Sequence, residues 1–191
     1  MYSFSASATK AHWPRLRVQQ TAVSIRHATL ADAHTIIEMG IRLIPAAHTG
    51  ALPAADMDIY LQKSFSLAQV QAELCQPVPR FFLAEVGQRI AGMVKLHPTA
   101  APLPGLGQRP LELSRLYLNP DWIGKGVGSA LMQHALRQAA QHDICWLMVW
   151  TGNQRALAFY RRWQFTIAGT VTYTVGQSSL PAHIMIHKIP A

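Results

Sequence analysis

The sequence predicts a single α/β domain built on a mixed β-sheet. Strand-length and helical patterns follow one another in the order strand, two helices, three strands, helix, strand, helix, two strands. The segment from Ile144 to Trp150 is almost wholly apolar, which is typical of a strand covered on both faces. The chain has 191 residues, of which 50% are hydrophobic, and this is enough for one packed core.

Composition divides the chain into a basic tail, residues 1–22, and a domain, residues 23–191. The tail carries Lys10, Arg15 and Arg17 with no acidic residue and no sustained periodicity, so we expect a flexible extension. The formal net charge of +8 favours anionic or phosphate-bearing partners. Because we find neither a membrane-spanning run nor a secretory core, we expect a soluble cytoplasmic protein without a membrane partner.

Capping residues and prolines place the individual elements. Thr29 to Asp32 resembles a capping box that opens a helix through Ile41, and Ser66 caps a second helix. Residues 45–53 carry few structural signals. Four prolines between 98 and 110 predict a surface loop whose tip is positioned to cover a site. The predicted strands are 23–26, 81–86, 89–96, 111–118, 144–150, 165–174 and 183–188, and the later helices begin near Gly128 and Asn153.

The turn after the strand at 111–118 has the composition of an anion-binding loop. Gly124, Gly126 and Gly128 alternate around Lys125 and lead into a helix. Glycines let successive backbone N–H groups point to one centre, and the helix N-terminus adds positive charge, so the segment suits a pyrophosphate. The spacing is that of neither a P-loop nor a dinucleotide fingerprint. Close packing of the strand against the helix would explain the same glycines without a ligand.

Three segments, in this order and spacing, resemble the GNAT superfamily of N-acetyltransferases. They are Glu-Leu-Ser-Arg-Leu-Tyr-Leu at 112–118, Gly-Lys-Gly-Val-Gly at 124–128 and Asn-Gln-Arg-Ala-Leu-Ala-Phe-Tyr-Arg-Arg at 153–162. The resemblance implies a mainly antiparallel mixed sheet with flanking helices and two splayed central strands. Acetyl-CoA, the implied co-substrate, inserts between those strands. The implied reaction is acetyl transfer to a primary amine by direct attack in a ternary complex, without a metal.

The resemblance also assigns the co-substrate site. It implies that backbone groups of Leu116, Tyr117 and Leu118 bond the pantetheine arm, and that an N–H near Leu118 stabilises the oxyanion. The implied pyrophosphate site is formed by the backbones of Gly124, Lys125, Gly126, Val127, Gly128 and Ser129. Asn153 and Tyr160 match the family's cofactor-side asparagine and its tyrosine near the thioester sulfur, and helical spacing puts Ala156 on the same face. Tyr160 is therefore the candidate acid for the departing thiolate. Taken alone, it would be read as an aromatic at the edge of the core.

Glu112 is the candidate base, acting through water. A base is needed because the ammonium form of an amine has no free lone pair. Strand alternation puts Glu112 and Ser114 on one face and Arg115 and Tyr117 on the other. A structural ion pair between Glu112 and either Arg115 or Arg109 fits the sequence equally well.

Two positions depart from the family pattern. Ile123 stands where the family usually has Gln or Arg, so one side-chain contact to the phosphates is absent and weaker co-substrate binding is expected. Gln164 stands where Gly is common. A left-handed helix end at Gln164 would cost about 1 kcal/mol, unless the helix ends differently.

The whole-chain pattern looks like the spermine/spermidine-type branch of small-amine acetyltransferases. The parts of the chain that carry this resemblance are residues 65–74 and the closing hairpin 170–188 with Gly176. This resemblance implies an acceptor beside the first two helices and the final hairpin. Asp56 and Asp58 are candidates for the acidic cluster that a polyamine needs against the net positive charge. An amino acid, an aminoglycoside or a protein N-terminus remains open as the acceptor. The candidate lining residues are Glu38, Asp56, Asp58, Tyr60, Phe65 and Trp150.

Two other classes of function stay open, a catalytically silent acyl-CoA sensor and a basic nucleic-acid-binding module. The second is disfavoured because Arg161-Arg162-Trp163 is the only segment that interleaves basic and aromatic residues. His183 and His187 lack Cys or carboxylate neighbours, so no zinc site is predicted. Cys75 and Cys145 are expected to be buried thiols. Family habit suggests a homodimer.

Overall fold

Seven strands form one sheet in a computed structural model that describes residues 22–190; the predicted tail, apart from Ala22, lies outside the described residues. In chain order the strands are β1 (Val23–His27), β2 (Arg80–Val86), β3 (Arg89–His97), β4 (Pro110–Leu118), β5 (Ile144–Trp150), β6 (Thr166–Val175) and β7 (Ser178–Lys188). The helices of the described residues are α1 (Ala33–Ala47), α2 (Ala54–Phe65), α3 (Leu67–Leu74), α4 (Val127–Gln138) and α5 (Gln154–Arg162).

The strand order across the sheet is β1-β2-β3-β4-β5-β7-β6. Every neighbouring pair is antiparallel except β4 and β5, which are parallel. A parallel pair needs a long crossover, and here α4 supplies it. The prediction of a mixed, mainly antiparallel sheet with flanking helices is confirmed.

The sequence predicts the starts of two of the first three helices and misses the third. Thr29 and Asp32 form the predicted capping box, and Ser66 caps α3 by accepting a hydrogen bond from the Gln69 amide at 3.3 Å. The missed element is α2, which begins directly after Pro53 without a side-chain cap. Its weak amphipathic pattern and missing side-chain cap explain why the sequence analysis did not predict this helix.

Helices cover both faces of the sheet. On one face, α4 and α5 pack over a core that includes Leu111, Leu113, Leu131, Leu147 and Leu157. On the opposite face, α1, α2 and α3 pack over a core that includes Ile36, Ile44, Phe81, Leu83 and Met93. Burial on both faces accounts for the continuous apolar run of β5.

The proline-rich segment at 98–109 is a loop, as predicted. Leu103 and Leu106 pack on a small apolar cluster of β5 and β7 residues, and the Thr99 carbonyl accepts a hydrogen bond from Trp146 Nε1 at 2.9 Å. The loop thus covers the start of β5, and none of its residues lines the pocket described below. Within residues 22–190, no helix is long and apolar enough to cross a membrane.

Candidate active site

The predicted splay lies between β4 and β5. Their pairing is confined to Pro110, Leu111 and Glu112, which lie opposite Ile144, Cys145 and Trp146. Beyond this point both strands continue, β4 to Leu118 and β5 to Trp150, without further pairing to each other within the described chain. A wedge-shaped gap therefore opens in the middle of the sheet, and Glu112 lies at its vertex.

A β-bulge in β4 changes which side chains share a face. Lys95 lies opposite Arg115, and Leu96 lies opposite Leu113, so Ser114 is an extra residue in β4. One extra residue reverses the alternation beyond it. The prediction that Arg115 and Tyr117 lie on the face opposite Glu112 is therefore wrong. All three lie on the face covered by α1, α2 and α3.

A pocket opens on that face beside the vertex. Its helical wall is formed by residues of α1, of α2 and of the turn between them, and its floor by residues of β4, β5 and β6. The wall residues are Ile44, His48, Leu52, Met57 and Tyr60, and the floor residues are Glu112, Ser114, Tyr117, Met148, Trp150, Tyr173 and Val175. Two of the candidate lining residues, Tyr60 and Trp150, line this pocket.

Glu112 is available within this pocket. Its side chain is 21% exposed, and its Oε2 lies 4.0 Å from Nδ1 of His97, the residue opposite it on β3. Among the described residues, neither Arg115 nor Arg109 forms an ion pair with Glu112, so the structural pairing considered from the sequence is not formed. Arg115 instead lies 4.2 Å above the ring of Phe65 and 3.9 Å from Oε2 of Glu73.

A buried charge cluster that the sequence did not indicate lies on the same face of the sheet, between α3, β3 and β4. The Lys95 ammonium lies 2.6 Å from Oε1 of Glu73, and Arg115 lies beside the same carboxylate. Burial lowers the pKa of Lys95, and the neighbouring Arg115 charge lowers it further. The cluster links α3 to β3 and β4 next to the bulge, which supports the backbone from which Glu112 projects.

The glycine turn lies at the other end of β4. Gly124 and Gly126 have φ angles of 77° and 85°, and Gly126 is the N-cap of α4. A β-carbon at either position would meet open space, so the turn presents an uncovered backbone. Within the described chain, the amides of Gly124, Gly126, Val127, Gly128 and Ser129 donate to no backbone carbonyl. The Lys125 amide differs from the predicted set because it donates to Trp122 O at 3.3 Å.

Alternate residues of β4 direct their backbone hydrogen-bonding groups toward β3 or toward the gap. The Asn119 amide donates to Ala91 O at 2.9 Å. Because antiparallel pairing alternates, Tyr117 also directs its amide toward β3, whereas Leu116 and Leu118 direct theirs toward the gap. The geometry thus keeps Leu116 and Leu118 as candidates for the pantetheine arm. Tyr117 instead contributes its side chain to the pocket on the opposite face.

Helix α5 presents the other predicted residues. Asn153 caps the helix by accepting a hydrogen bond from the Ala156 amide at 3.1 Å. Tyr160 is buried in the core beneath α4 and α5, and burial raises its pKa well above the ordinary value for tyrosine. Its hydroxyl has no hydrogen-bond partner among residues 22–190. The raised pKa keeps the Tyr160 hydroxyl protonated near neutral pH.

The predicted acidic cluster does not form at the pocket. Asp56 is 5% exposed and accepts hydrogen bonds from the Gln177 amide and the Ser178 hydroxyl in the β6–β7 turn. A β-carbon at Gly176 would lie 2.1 Å from Asp56 Oδ1, so this contact requires glycine. Asp58 is exposed on α2 outside the pocket lining. Asp56 is therefore a structural residue that fastens α2 to the closing hairpin.

Two further candidate lining residues also lie elsewhere. Glu38 borders a separate shallow depression with Arg42 and Asn119. Phe65 is 2% exposed and belongs to the core beneath Arg115. Neither residue lines the pocket next to Glu112.

Several remaining predictions concern metals, thiols and nucleic acid. His183 Nδ1 lies 2.9 Å from Thr170 Oγ1, and His187 Nδ1 lies 3.0 Å from Trp163 O, so the two rings have separate partners. Within residues 22–190, no three His, Cys, Asp or Glu side chains are grouped as a metal site.

Cys145 is buried as expected, but Cys75 is exposed, which makes the prediction for Cys75 wrong. Trp163 packs against the core and is not free to stack on bases.

Solved structures share this fold. The PaiA N-acetyltransferase from Thermoplasma acidophilum, in complex with coenzyme A, superposes with a TM-score of 0.70 at 21% identity, over 87% of this chain and 99% of that chain. NAA60 from Arabidopsis thaliana, in complex with a bisubstrate analogue, also gives a TM-score of 0.70, at 12% identity over 88% of this chain and 98% of that chain. These similarities show that the chain has the fold of these two N-acetyltransferases.

Sequence comparison gives the family directly. An uncharacterized N-acetyltransferase from Mycobacterium bovis is 30% identical over 164 residues, which cover 84% of this chain and 99% of that protein. Residues 46–165 match the acetyltransferase (GNAT) family. The chain belongs to the GNAT family and is an acetyltransferase.

Proposed function

We propose that this enzyme transfers the acetyl group of acetyl-CoA to a primary amine by direct attack in a ternary complex. The observation that carries the proposal is the gap between β4 and β5. Different functional groups lie beside this gap on the two faces of the sheet. Tyr160 and the free amides of the glycine turn belong to the side of α4 and α5. Glu112 lies in the pocket on the side of α1 and α2. Two substrates can therefore approach the same gap from opposite directions.

Acetyl-CoA fits the side of α4 and α5. The free amides of Gly124, Gly126 and the first residues of α4 offer hydrogen bonds to a pyrophosphate, and the helix N-terminus adds a partial positive charge. The backbone groups of Leu116 and Leu118 that point toward the gap would bond the amide groups of the pantetheine arm. Coenzyme A in the Thermoplasma acidophilum relative supports this assignment.

The proposed reaction uses three groups of this chain. Glu112 accepts a proton from the ammonium group through water, and the neutral nitrogen attacks the thioester carbonyl carbon. The Leu118 N–H stabilises the negative charge that develops on the carbonyl oxygen. As the carbon–sulfur bond breaks, the Tyr160 hydroxyl protonates the thiolate of coenzyme A, and the second proton released by the attacking nitrogen restores the Tyr160 phenol. An amide and free coenzyme A leave the site.

The test is to follow free thiol release by the full chain with acetyl-CoA and a panel of primary amines. We expect amine-dependent release, together with equimolar acetylated amine detected by mass spectrometry. Acetyl-CoA binding is measured separately by isothermal titration calorimetry. Tight binding without thiol release for any amine would favour the silent sensor, and absence of binding would overturn the assignment of the glycine turn.

A further inference from the structure

We infer, resting on the proposed transferase function, that the acceptor is a monoamine carried on a neutral apolar or aromatic body. The inference follows from the side chains that surround Glu112. It names a class of acceptor that differs from the polyamines, free amino acids and aminoglycosides left open by the sequence.

Tyrosine and tryptophan side chains make up a third of the residues that line the pocket. Tyr60, Tyr117, Trp150 and Tyr173 all line it, and His48 stacks on Trp150 with ring centroids 6.0 Å apart and planes 24° from parallel. Aliphatic side chains fill the remaining wall. Such a surface gains free energy when it buries an apolar body, and the ring faces attract an ammonium head group.

The tyrosine hydroxyls of the pocket floor remain neutral. Burial raises the pKa of Tyr117 above the ordinary value and raises the pKa of Tyr173 to about 12. The tyrosines therefore supply hydrogen-bonding groups without negative charge near neutral pH. They do not replace the counter-ions that a second ammonium group would need.

Charged groups are scarce in the pocket. Among the described residues that line it, Glu112 is the one carboxylate, and none is lysine or arginine. A diamine or polyamine would bury a second ammonium group without a second carboxylate to pair with it, and a free amino acid would bury its carboxylate without a lysine or arginine. Burying an unpaired charge is costly. The nearest predicted alternative, Asp56, is already occupied by Gln177 and Ser178.

The experiment compares acceptors that differ by one charged group. The rate of thiol release is measured for 2-phenylethylamine, phenylalanine, hexylamine, 1,6-diaminohexane, spermidine and an aminoglycoside. We expect kcat/KM to be at least ten-fold higher for 2-phenylethylamine than for phenylalanine, and for hexylamine than for 1,6-diaminohexane. Comparable or higher values for phenylalanine, spermidine or the aminoglycoside would overturn the inference while leaving the transferase function intact. Absence of release with every amine would overturn both.

A second test of the acceptor class uses substitutions that add a charge to the pocket. Met148 lines the pocket but is 43% exposed, so a charged side chain is tolerated there. Met148→Lys should raise the relative kcat/KM for phenylalanine several-fold, and Met148→Glu should do the same for 1,6-diaminohexane. Ile167→Lys and Ile167→Glu are the matched controls, because Ile167 is also 43% exposed but lies outside the lining. Unchanged selectivity in both Met148 variants would show that the charge of the pocket does not select the acceptor.

Discussion

Glu112 and Trp146 form the last pair between β4 and β5 before the two strands separate. Trp146 is held by its hydrogen bond to Thr99 O, which fixes the β5 side of the vertex. On the β4 side, the bulge at Ser114 turns Arg115 into the buried cluster with Glu73. The position of the candidate base is thus determined by both strands of the gap and by the loop at 98–109.

Glu112→Gln should lower kcat/KM at neutral pH by about 100-fold or more, the usual contribution of a general base. The defect should shrink as the pH rises toward the amine pKa of about 10.4, because solvent then supplies neutral amine. Thiol release is measured as a function of pH for both proteins. Glu38→Gln is the matched control, since Glu38 lies in the separate depression on α1. Parallel pH profiles for wild type and Glu112→Gln would show that Glu112 does not act as the base.

Tyr160→Phe should lower kcat by about 100-fold or more while leaving acetyl-CoA affinity nearly unchanged. The ring remains to fill the core beneath α5, so the variant removes only the proton donor. Calorimetry measures binding, and thiol release measures turnover. An unchanged kcat would mean that water or the solvent protonates the leaving thiolate.

The sequence predicted the seven strands in their order along the chain, because strand and helix periodicities are local properties. It did not predict the bulge at Ser114, since a period of two carries no sign of an inserted residue. Strand alternation alone therefore predicts that Arg115 and Tyr117 lie on the face opposite Glu112, whereas the structure has them on the same face as Glu112. The splay itself came from the resemblance to the GNAT superfamily, because the point at which two parallel strands separate depends on tertiary packing.

The acceptor residues were predicted less well for a related reason. Asp56 is acidic and near the first helices, which made it a candidate for binding an amine. Its carboxylate is instead satisfied by Gln177 and Ser178, which lie more than one hundred residues away along the chain. Only the folded arrangement shows that Glu112 is the carboxylate that lines the pocket together with Tyr60, Tyr117, Trp150 and Tyr173.

Gln164→Gly should stabilise the protein by about 1 kcal/mol. Gln164 follows the end of α5 in the left-handed conformation considered from the sequence, with a φ of 61°, and is the one non-glycine residue with positive φ among residues 22–190. Glycine adopts this conformation without the steric cost of a β-carbon. The free energy of unfolding is measured with urea. Gln164→Ala is the control and should give no comparable gain, since alanine retains the β-carbon.

Ile123→Arg should tighten acetyl-CoA binding several-fold, because the side chain at this position precedes Gly124 and is 38% exposed. An arginine there adds a charge-assisted contact to the phosphates, and the gain should decrease as salt is raised. Calorimetric titration at two salt concentrations measures the effect. Ile41→Arg is the control, because Ile41 is exposed on α1, away from the glycine turn. An equal gain in Ile41→Arg would attribute the effect to net charge alone.

Asp32→Asn should destabilise the protein at neutral pH and reduce its sensitivity to acid. Asp32 accepts two hydrogen bonds of 2.8 Å from Arg26, and this contact lowers the pKa of Asp32 to about 2. A lowered pKa stabilises the fold above the unfolded-state value of about 3.9, and that stabilisation is lost as the pH falls toward 2.

The difference in unfolding free energy between wild type and Asp32→Asn should therefore be about 1 to 2 kcal/mol at pH 7, allowing for the partial exposure of Arg26. It should narrow between pH 4 and pH 2. Urea unfolding at several pH values measures both quantities. Asp121→Asn is the control, because Asp121 forms only an exposed 3.5 Å pair with Arg89 and should contribute little. A constant difference across this range would show that the Arg26–Asp32 contact does not govern the acid response.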